Sequence, residues 1–188
     1  MPKSCRHCKT KFAPVRPMQV VCSPFCAIQI TATKNAQVRK KAVALDKKET
    51  KAKLVKLKTK SQWLKEAQQA FNAWIRLRDK VAGYACISSG RPLDWTGNQT
   101  DAGHYRSTGA AKHLRFNPDN CHAQSKRDNR YLAGNAVDYR INLIKRIGLE
   151  RVEALESDQS VKKYTIDDLK AIKIMYNLKI KELTLKSI

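Results

Sequence analysis

The apolar positions of the chain change their rhythm several times. Trp63-Leu64, Ala67, Phe71, Trp74-Ile75 and Val81 recur at steps of three and four, the period of an amphipathic helix. Ser61 is placed to cap its start and Gly83 to end it, and Trp63, Phe71 and Trp74 are expected in a core. Val137, Ile141, Ile144 and Ile147 repeat the period on one face and stop at Gly148. Thr165-Ile166-Asp167-Asp168 has the spacing of a capping box and opens a last helix through Leu169, Ile172, Met175, Tyr176 and Ile180. Between the first two helical segments the period disappears. Residues 84–124 carry Gly90, Pro92, Gly97, Gly103 and Gly109 and read as turns with short strands. Residues 31–60 hold no Gly or Pro, and Leu45, Leu54, Val55 and Leu57 are too sparse for an apolar face, so this stretch reads as a helical arm or linker. No run of 18 apolar residues exists, which predicts no transmembrane helix, and no apolar run follows Lys3 as a signal peptide requires.

These segments predict an α+β fold that is mainly helical. Its parts are a cysteine-bearing module at 1–30, a basic arm at 31–60, a core at 61–148 and a C-terminal helical segment at 149–188.

Charge narrows the partner. Among 188 residues, 38 Lys and Arg stand against 16 Asp and Glu, a net +22. Such a field captures polyanions, and binding through it weakens as salt rises. In the arm, Lys40, Lys41, Lys47 and Lys48 face only Asp46 and Glu49 and are expected on a nucleic-acid backbone. Nothing suggests a membrane-inserting helix, so no membrane partner is expected. An RNA-binding protein of ribosomal type remains a rival, given the pI near 10.0.

Four of the six cysteines form two close pairs, Cys5-Arg-His-Cys8 and Cys22-Ser-Pro-Phe-Cys26. Paired thiolates suit tetrahedral Zn²⁺, and thirty residues build little core without it. A closed four-sulfur site leaves no position for substrate, so this zinc would brace or recognise. Cys86 and Cys121 read as buried small residues.

The chemistry-bearing residues lie between Asp101 and Asn129, in Asp101-Ala-Gly-His104-Tyr105 and Phe116-Asn-Pro-Asp-Asn120-Cys-His122-Ala-Gln-Ser125-Lys-Arg-Asp128-Asn129. A small metal nuclease needs a general base and oxygen or nitrogen ligands for a divalent ion, held on a rigid frame. A hairpin followed by a helix can supply both. The first strand would carry His104, the return strand Asn120 and the helix start Asn129.

This run resembles the HNH, or ββα-metal, nucleases. The whole chain resembles the NinG recombination proteins of lambdoid phages, through the cysteine pairs, Ala67-Gln-Gln-Ala-Phe-Asn-Ala-Trp-Ile-Arg-Leu-Arg-Asp79, Asp101-Ala-Gly-His104 and Asn120-Cys-His-Ala-Gln-Ser-Lys-Arg-Asp-Asn-Arg130. The resemblance implies an HNH-like core in 61–148 and a structure-selective endonuclease acting on Holliday junctions and D-loops in phage recombination. It casts His104 as general base, Asn120 as the residue orienting the His104 loop, and Asp101 and Asn129 as ligands of a catalytic Mg²⁺ or Mn²⁺. His122 would be a ligand or a phosphate contact on the strand face of Asn120. Arg106, Lys126, Arg127 and Arg130 would join the arm in holding DNA. Asp101 lies three residues before His104, whereas many relatives place the acid immediately before the His; here that neighbour is Gly103. Many HNH proteins also frame the site with a second zinc. At those positions stand Cys86-Ile-Ser-Ser89 and Ser125-Lys-Arg-Asp128, with one thiol left of four, so no second zinc is expected. Ser125 and Asp128 would instead cap the helix start. Symmetric cutting of a junction would suit a homodimer, the host cytoplasm as location, and recombination proteins of phage or host as partners. The alternative is a non-enzymatic zinc-ribbon DNA-binding protein with a degenerate HNH region.

Overall fold

A computed structural model describes residues 1–186, which form two compact units, Met1–Lys58 and a second from Thr59 onward.

In the N-terminal unit β1 (Lys3–Ser4) pairs antiparallel with β2 (Lys11–Phe12). The tight turn between them carries Cys5 and Cys8 and closes through the Lys9 N–H to the Cys5 carbonyl, 3.0 Å. Helix α1 (Pro24–Lys56) starts inside the second cysteine pair. Ser23 caps it by accepting from the Cys26 N–H, and Pro24 fills a first-turn position whose N–H would have no helical partner. The boundary expected at residue 30 therefore falls within one continuous helix. At 33 residues α1 is about 50 Å long. Only Cys26 is buried on it, so tertiary packing does little to hold it. Its Ala, Lys, Leu and Gln content does more.

The second unit is built on α2 (Lys60–Val81), the strands β3 (Thr100–His104) and β4 (Cys121–Ser125), and helices α3 (Ala136–Ile147), α4 (Leu149–Ser157) and α5 (Ile166–Lys186). Thr59, rather than Ser61, caps α2, in a full capping box with Gln62. Gly83 follows its end in the left-handed region, at φ 67°. Thr165 and Asp168 form the expected reciprocal box, with N–H to Oδ2 at 2.8 Å and N–H to Oγ1 at 3.1 Å. Helix α2 packs along α5, and Trp63, Phe71, Ile75, Phe116, Tyr164 and Tyr176 form one core.

β3 and β4 pair antiparallel, with Asp101 opposite Gln124, Gly103 opposite His122 and His104 opposite Cys121. Residues opposite one another share a face. Ala102 and Cys121 point into the α2–α5 core. Gly103 lies on the other face, where its carbonyl accepts from the Tyr139 hydroxyl at 2.9 Å. A second core, Ile87, Leu114, Tyr139, Leu143, Val152 and Leu155, forms there.

Two expectations are corrected. Helix α3 does not bury Val137 and Ile141, which are 74% and 49% exposed. Ile144 and Ile147 of the expected face do pack against the second core, but the helix buries Tyr139 and Leu143 most deeply, and the Tyr139 hydroxyl bonds the Gly103 carbonyl there. The helix expected straight after Ser125 is a single π-type turn, Arg127–Tyr131. Ala133, Gly134 and Asn135 then adopt positive φ (50°, 83° and 46°), which breaks the chain away before α3 begins.

Candidate metal centres and the hairpin site

The four N-terminal cysteines converge, with their sulfurs all within 4.8 Å of one another. Cys8 Sγ lies 3.5 Å from Cys22 Sγ, which lies 3.6 Å from Cys26 Sγ. Burial alone would raise the Cys5 thiol, but backbone N–H groups of Cys22, Cys8 and His7 bring it down to about 6. Cys22, crowded by Cys8 and Cys26, is pushed up to about 12. Four sulfurs this close cannot all ionise without a cation among them, and tetrahedral Zn²⁺ suits such a set. The cluster could hold zinc.

On the hairpin, Asp101 meets residues 28 and 29 positions further along the chain. Asn129 Nδ2 donates to its Oδ2 at 3.0 Å, and Arg130 Nε donates to the same oxygen at 2.8 Å. Burial would raise the Asp101 carboxyl, but these two partners hold it below the usual carboxylate range. The strand–return–turn topology thus joins the two residues expected to share a divalent ion. One carboxylate and one amide are hard donors that suit Mg²⁺ or Mn²⁺ completed by phosphate and water. An ion here would displace the Arg130 guanidinium and require the Asn129 amide oxygen to turn inward.

Asp101 sits at this position for a visible reason. Gly103, two residues on and on the same strand face, has no room for a side chain. A Cβ there would lie 3.0 Å from Gln124 Cδ and 3.1 Å from Gln124 Cβ, and closer still to Oε1. The buried Gln124 amide fills the space, donating to Ser88 Oγ at 2.6 Å and to the Gly134 carbonyl at 2.7 Å.

His104 ends β3 on the opposite face from Asp101. Its ring packs 5.8 Å from that of Phe71. Nε2 lies 2.9 Å from the Arg115 carbonyl, which fixes the proton on that nitrogen and leaves Nδ1 with its lone pair, 3.6 Å from Cys121 Sγ. Burial, with the Arg115 charge, holds His104 below the ordinary histidine value. It is neutral at pH 7.

Asn120 is fully buried and touches no solvent. Its Oδ1 accepts from the Arg106 N–H at 2.8 Å, and its Nδ2 donates to the Arg106 carbonyl at 2.9 Å and the Leu114 carbonyl at 3.3 Å. It staples the loop that follows His104, and is a positioning residue rather than a catalytic one.

His122 does not share a solvent-facing surface with Asn120. It is 3% exposed, and Arg78 Nη2 donates to its Nδ1 at 2.9 Å while its Nε2 donates to the Asp119 carbonyl at 3.2 Å. Both ring nitrogens are used internally, so neither a metal nor a phosphate can reach it, and the expected catalytic role is withdrawn. Arg106 is corrected likewise. Its Nη1 donates to the carbonyls of Leu155 (2.7 Å) and Asp158 (2.6 Å), closing the end of α4 instead of facing DNA. Lys40, Lys41, Lys47, Lys48, Arg127 and Arg130 are exposed, and Lys126 is partly so.

The four positions where a framing zinc was not expected also converge. One oxygen of Asp128, Oδ2, accepts from Cys86 Sγ (3.2 Å), Ser89 Oγ (2.8 Å) and Ser125 Oγ (2.7 Å), while Ser125 Oγ accepts from the Asp128 N–H at 3.1 Å. A hydrogen-bonded knot thus ties the end of β4 to the turn that bears Asn129.

Sequence reasoning missed the buried charge beneath the hairpin. Asp79, wholly buried, accepts from the Ala123 N–H at 2.6 Å and from Arg78 Nε at 2.7 Å, with Arg146 3.7 Å away. Its signal was legible: Asp79 continues the Phe71–Ile75 stripe of α2 at the same four-residue step, an acid on a buried face.

Fold and site together define a strongly basic protein of two units, one carrying a four-cysteine centre and the other a hairpin with a carboxylate–amide pair. The family model described as "Bacteriophage Lambda NinG protein" matches residues 1–186, and the chain belongs to that family. It is 42% identical to protein ninG of Escherichia phage lambda, over 94% of this chain and 90% of that one. Protein ninG of Salmonella phage P22 is 40% identical, over 94% and 90%. That of Escherichia phage 933W is 39% identical, over 96% and 93%. No solved structure matches. Among the described residues no helix is long and apolar enough to cross a membrane.

Proposed function

We propose that this protein is a metal-dependent endonuclease that cuts branched DNA, with an HNH-like ββα core formed by β3, β4 and the Arg127–Tyr131 turn. The convergence of Asp101 and Asn129 at 3.0 Å, beside exposed Arg127, carries the reading. Asp101 and Asn129 would hold Mg²⁺ or Mn²⁺, which when bound polarises the scissile phosphate. Neutral His104, anchored through Nε2, would take a proton from water at Nδ1, with water replacing the Cys121 thiol that now lies 3.6 Å from it. Asn120 holds the loop behind it. Arg130, now on Asp101, would be available to a phosphate with an ion held by Asp101.

Helix α1 would hold DNA by its backbone. At 100° per residue Lys34, Lys40, Lys41, Lys47, Lys48 and Lys51 fall within an arc of about 140°, and Asp46 and Glu49 fall outside it. The zinc module would brace the start of this helix. A homodimer in the host cytoplasm, working with recombination proteins of phage or host, fits symmetric cutting of a four-way junction.

A second reading, DNA binding without cleavage, is favoured by two observations. His104 packs on Phe71 away from the Asp101 face, and Arg130 already neutralises Asp101.

Cleavage of a synthetic four-way junction in Mg²⁺ or Mn²⁺ tests the choice. The nuclease reading expects cutting by the wild type and a fall of roughly 10²–10⁴ in His104→Ala, the usual worth of a general base. Asp101→Asn should lose cutting with DNA binding retained. Undiminished cutting by His104→Ala removes the base assignment; no cutting of any DNA form by the wild type supports the binding protein.

A further inference from the structure

Directly after Asn129 and Arg130 the chain exposes two large apolar side chains, Tyr131 at 78% and Leu132 at 47%. Their backbone is nevertheless held firmly. The Leu132 N–H donates to the Arg127 carbonyl at 3.2 Å, and the Gly134 N–H to the Asp128 carbonyl at 3.0 Å. The Gly134 carbonyl accepts from Gln124 Nε2 at 2.7 Å and Ser88 Oγ at 3.1 Å. The left-handed run at 133–135 turns the chain back immediately afterwards. A rigid turn, tied to β4 and to the Asp128 knot, therefore presents an aromatic ring and a branched apolar side chain to solvent.

Arginines stand close by, and the acids among them already have partners. Exposed Arg127 and Arg130 precede Tyr131 in the chain, and Leu132 lines an open groove of about 460 Å³ together with Arg91, Arg127, Asp128 and Asp138; Asp128 is occupied by Cys86, Ser89 and Ser125, and Asp138 accepts from Asn135. Guanidinium groups suit phosphates, and an aromatic face suits a nucleobase, but only a base that is not already stacked. A continuous duplex offers none. A branch point does, where strands exchange and stacking is interrupted.

We infer that Tyr131, supported by Leu132, is a branch-reading element that stacks on an unstacked base at a DNA junction while Arg91 and Arg127 take the adjoining phosphates. The inference rests on the branched-DNA reading of the hairpin site. It supplies what that site lacks, a group that distinguishes a junction from a duplex.

The test is binding in chelator-free buffer without Mg²⁺ or Mn²⁺, which leaves the cysteine site intact and permits no cutting that depends on those ions. A four-way junction with 2-aminopurine at the branch is compared with a duplex of equal length. The wild type should bind the junction more tightly and change the 2-aminopurine fluorescence. Tyr131→Ala should lose roughly tenfold more affinity for the junction than for the duplex, the effect of one stacked base, and lose the fluorescence change. Tyr131→Phe should keep both. Tyr131 is exposed, so a thermal melt of the variant should match the wild type. Equal loss on both DNAs, no loss on either, or no junction preference in the wild type overturns the inference. A wild type that prefers the junction without Mg²⁺ or Mn²⁺ yet never cuts it when either is added refutes the nuclease reading and leaves this one standing.

Discussion

Replacing Gly103 by Ala sets two effects against each other. Glycine weakens a strand through its backbone entropy, so Ala alone would stabilise by about 0.5–1 kcal/mol. Gly103 has no positive φ that would penalise the change. The new Cβ, however, would meet Gln124 Cδ at 3.0 Å and Cβ at 3.1 Å, so the amide must swing away. That movement breaks its bonds to Ser88 Oγ (2.6 Å) and to the Gly134 carbonyl (2.7 Å). Buried groups left unpaired cost about 1–3 kcal/mol each. The Gly134 carbonyl keeps Ser88 Oγ at 3.1 Å, so the Gln124 amide is the group orphaned, and the net expectation is a loss of about 1–2 kcal/mol, a fall in Tm of about 5 °C for a unit of this size. Urea unfolding followed by tryptophan fluorescence measures it cleanly, because Trp63, Trp74 and Trp95 all lie in the unit that begins at Thr59. A double-mutant cycle with Gln124→Ala isolates the cause. With the amide gone, Gly103→Ala should be neutral or slightly stabilising. A neutral Gly103→Ala in the wild-type background, or an equal loss in both backgrounds, would refute the argument.

Acid should reach the second unit through Asp79. Burial would raise its carboxyl, but His122, the Arg78 guanidinium and the Ala123 N–H together hold it at about 2, below its ordinary value near 4. A folded pKa below the unfolded one contributes stability that is present above pH about 4 and lost as pH falls towards 2. Asp79→Asn should therefore be markedly less stable at pH 7 and show a flatter stability profile between pH 4 and 2; parallel profiles in urea titrations would contradict this. Removing zinc with a chelator, or Cys8→Ser, should release one zinc per chain and unfold the β1–β2 turn and cysteine site. The tryptophan-reported melt of the second unit should stay in place, and a shift of several degrees in it would show that the two units are not independent.

Local rules account for what was legible beforehand. Helices α2 and α5, the Thr165–Asp168 box and the cysteine pairs depend on residues within a few positions of one another. So does the turn-rich character of 84–124. The expectation that Ser125 and Asp128 would bond likewise rests on a three-residue spacing, and they do, at 2.7 Å. The extra donors on Asp128, Cys86 and Ser89, come from 42 and 39 residues away, and no local pattern announces them.

The polar residues were harder to read because the type of a side chain does not say which partner it will find. His122 and Arg106 looked available for DNA, yet each has buried acceptors or donors supplied by distant segments. Half of the face read for α3 was right, Ile144 and Ile147, but Val137 and Ile141 stay outside while Tyr139 gains a hydroxyl partner on Gly103 that lies 36 residues back.

By itself the sequence determined the helical periods, the basic field, the four-sulfur set and the residue types available for a metal on the hairpin. Those follow from spacing and composition. Only the tertiary structure decided that Asp101 meets Asn129 and that Gln124 keeps position 103 bare. It also decided that His104 takes the opposite strand face and that Tyr131 is left outside. Each of those outcomes depends on pairing and packing between segments tens of residues apart, where strand register and the filling of space set the geometry.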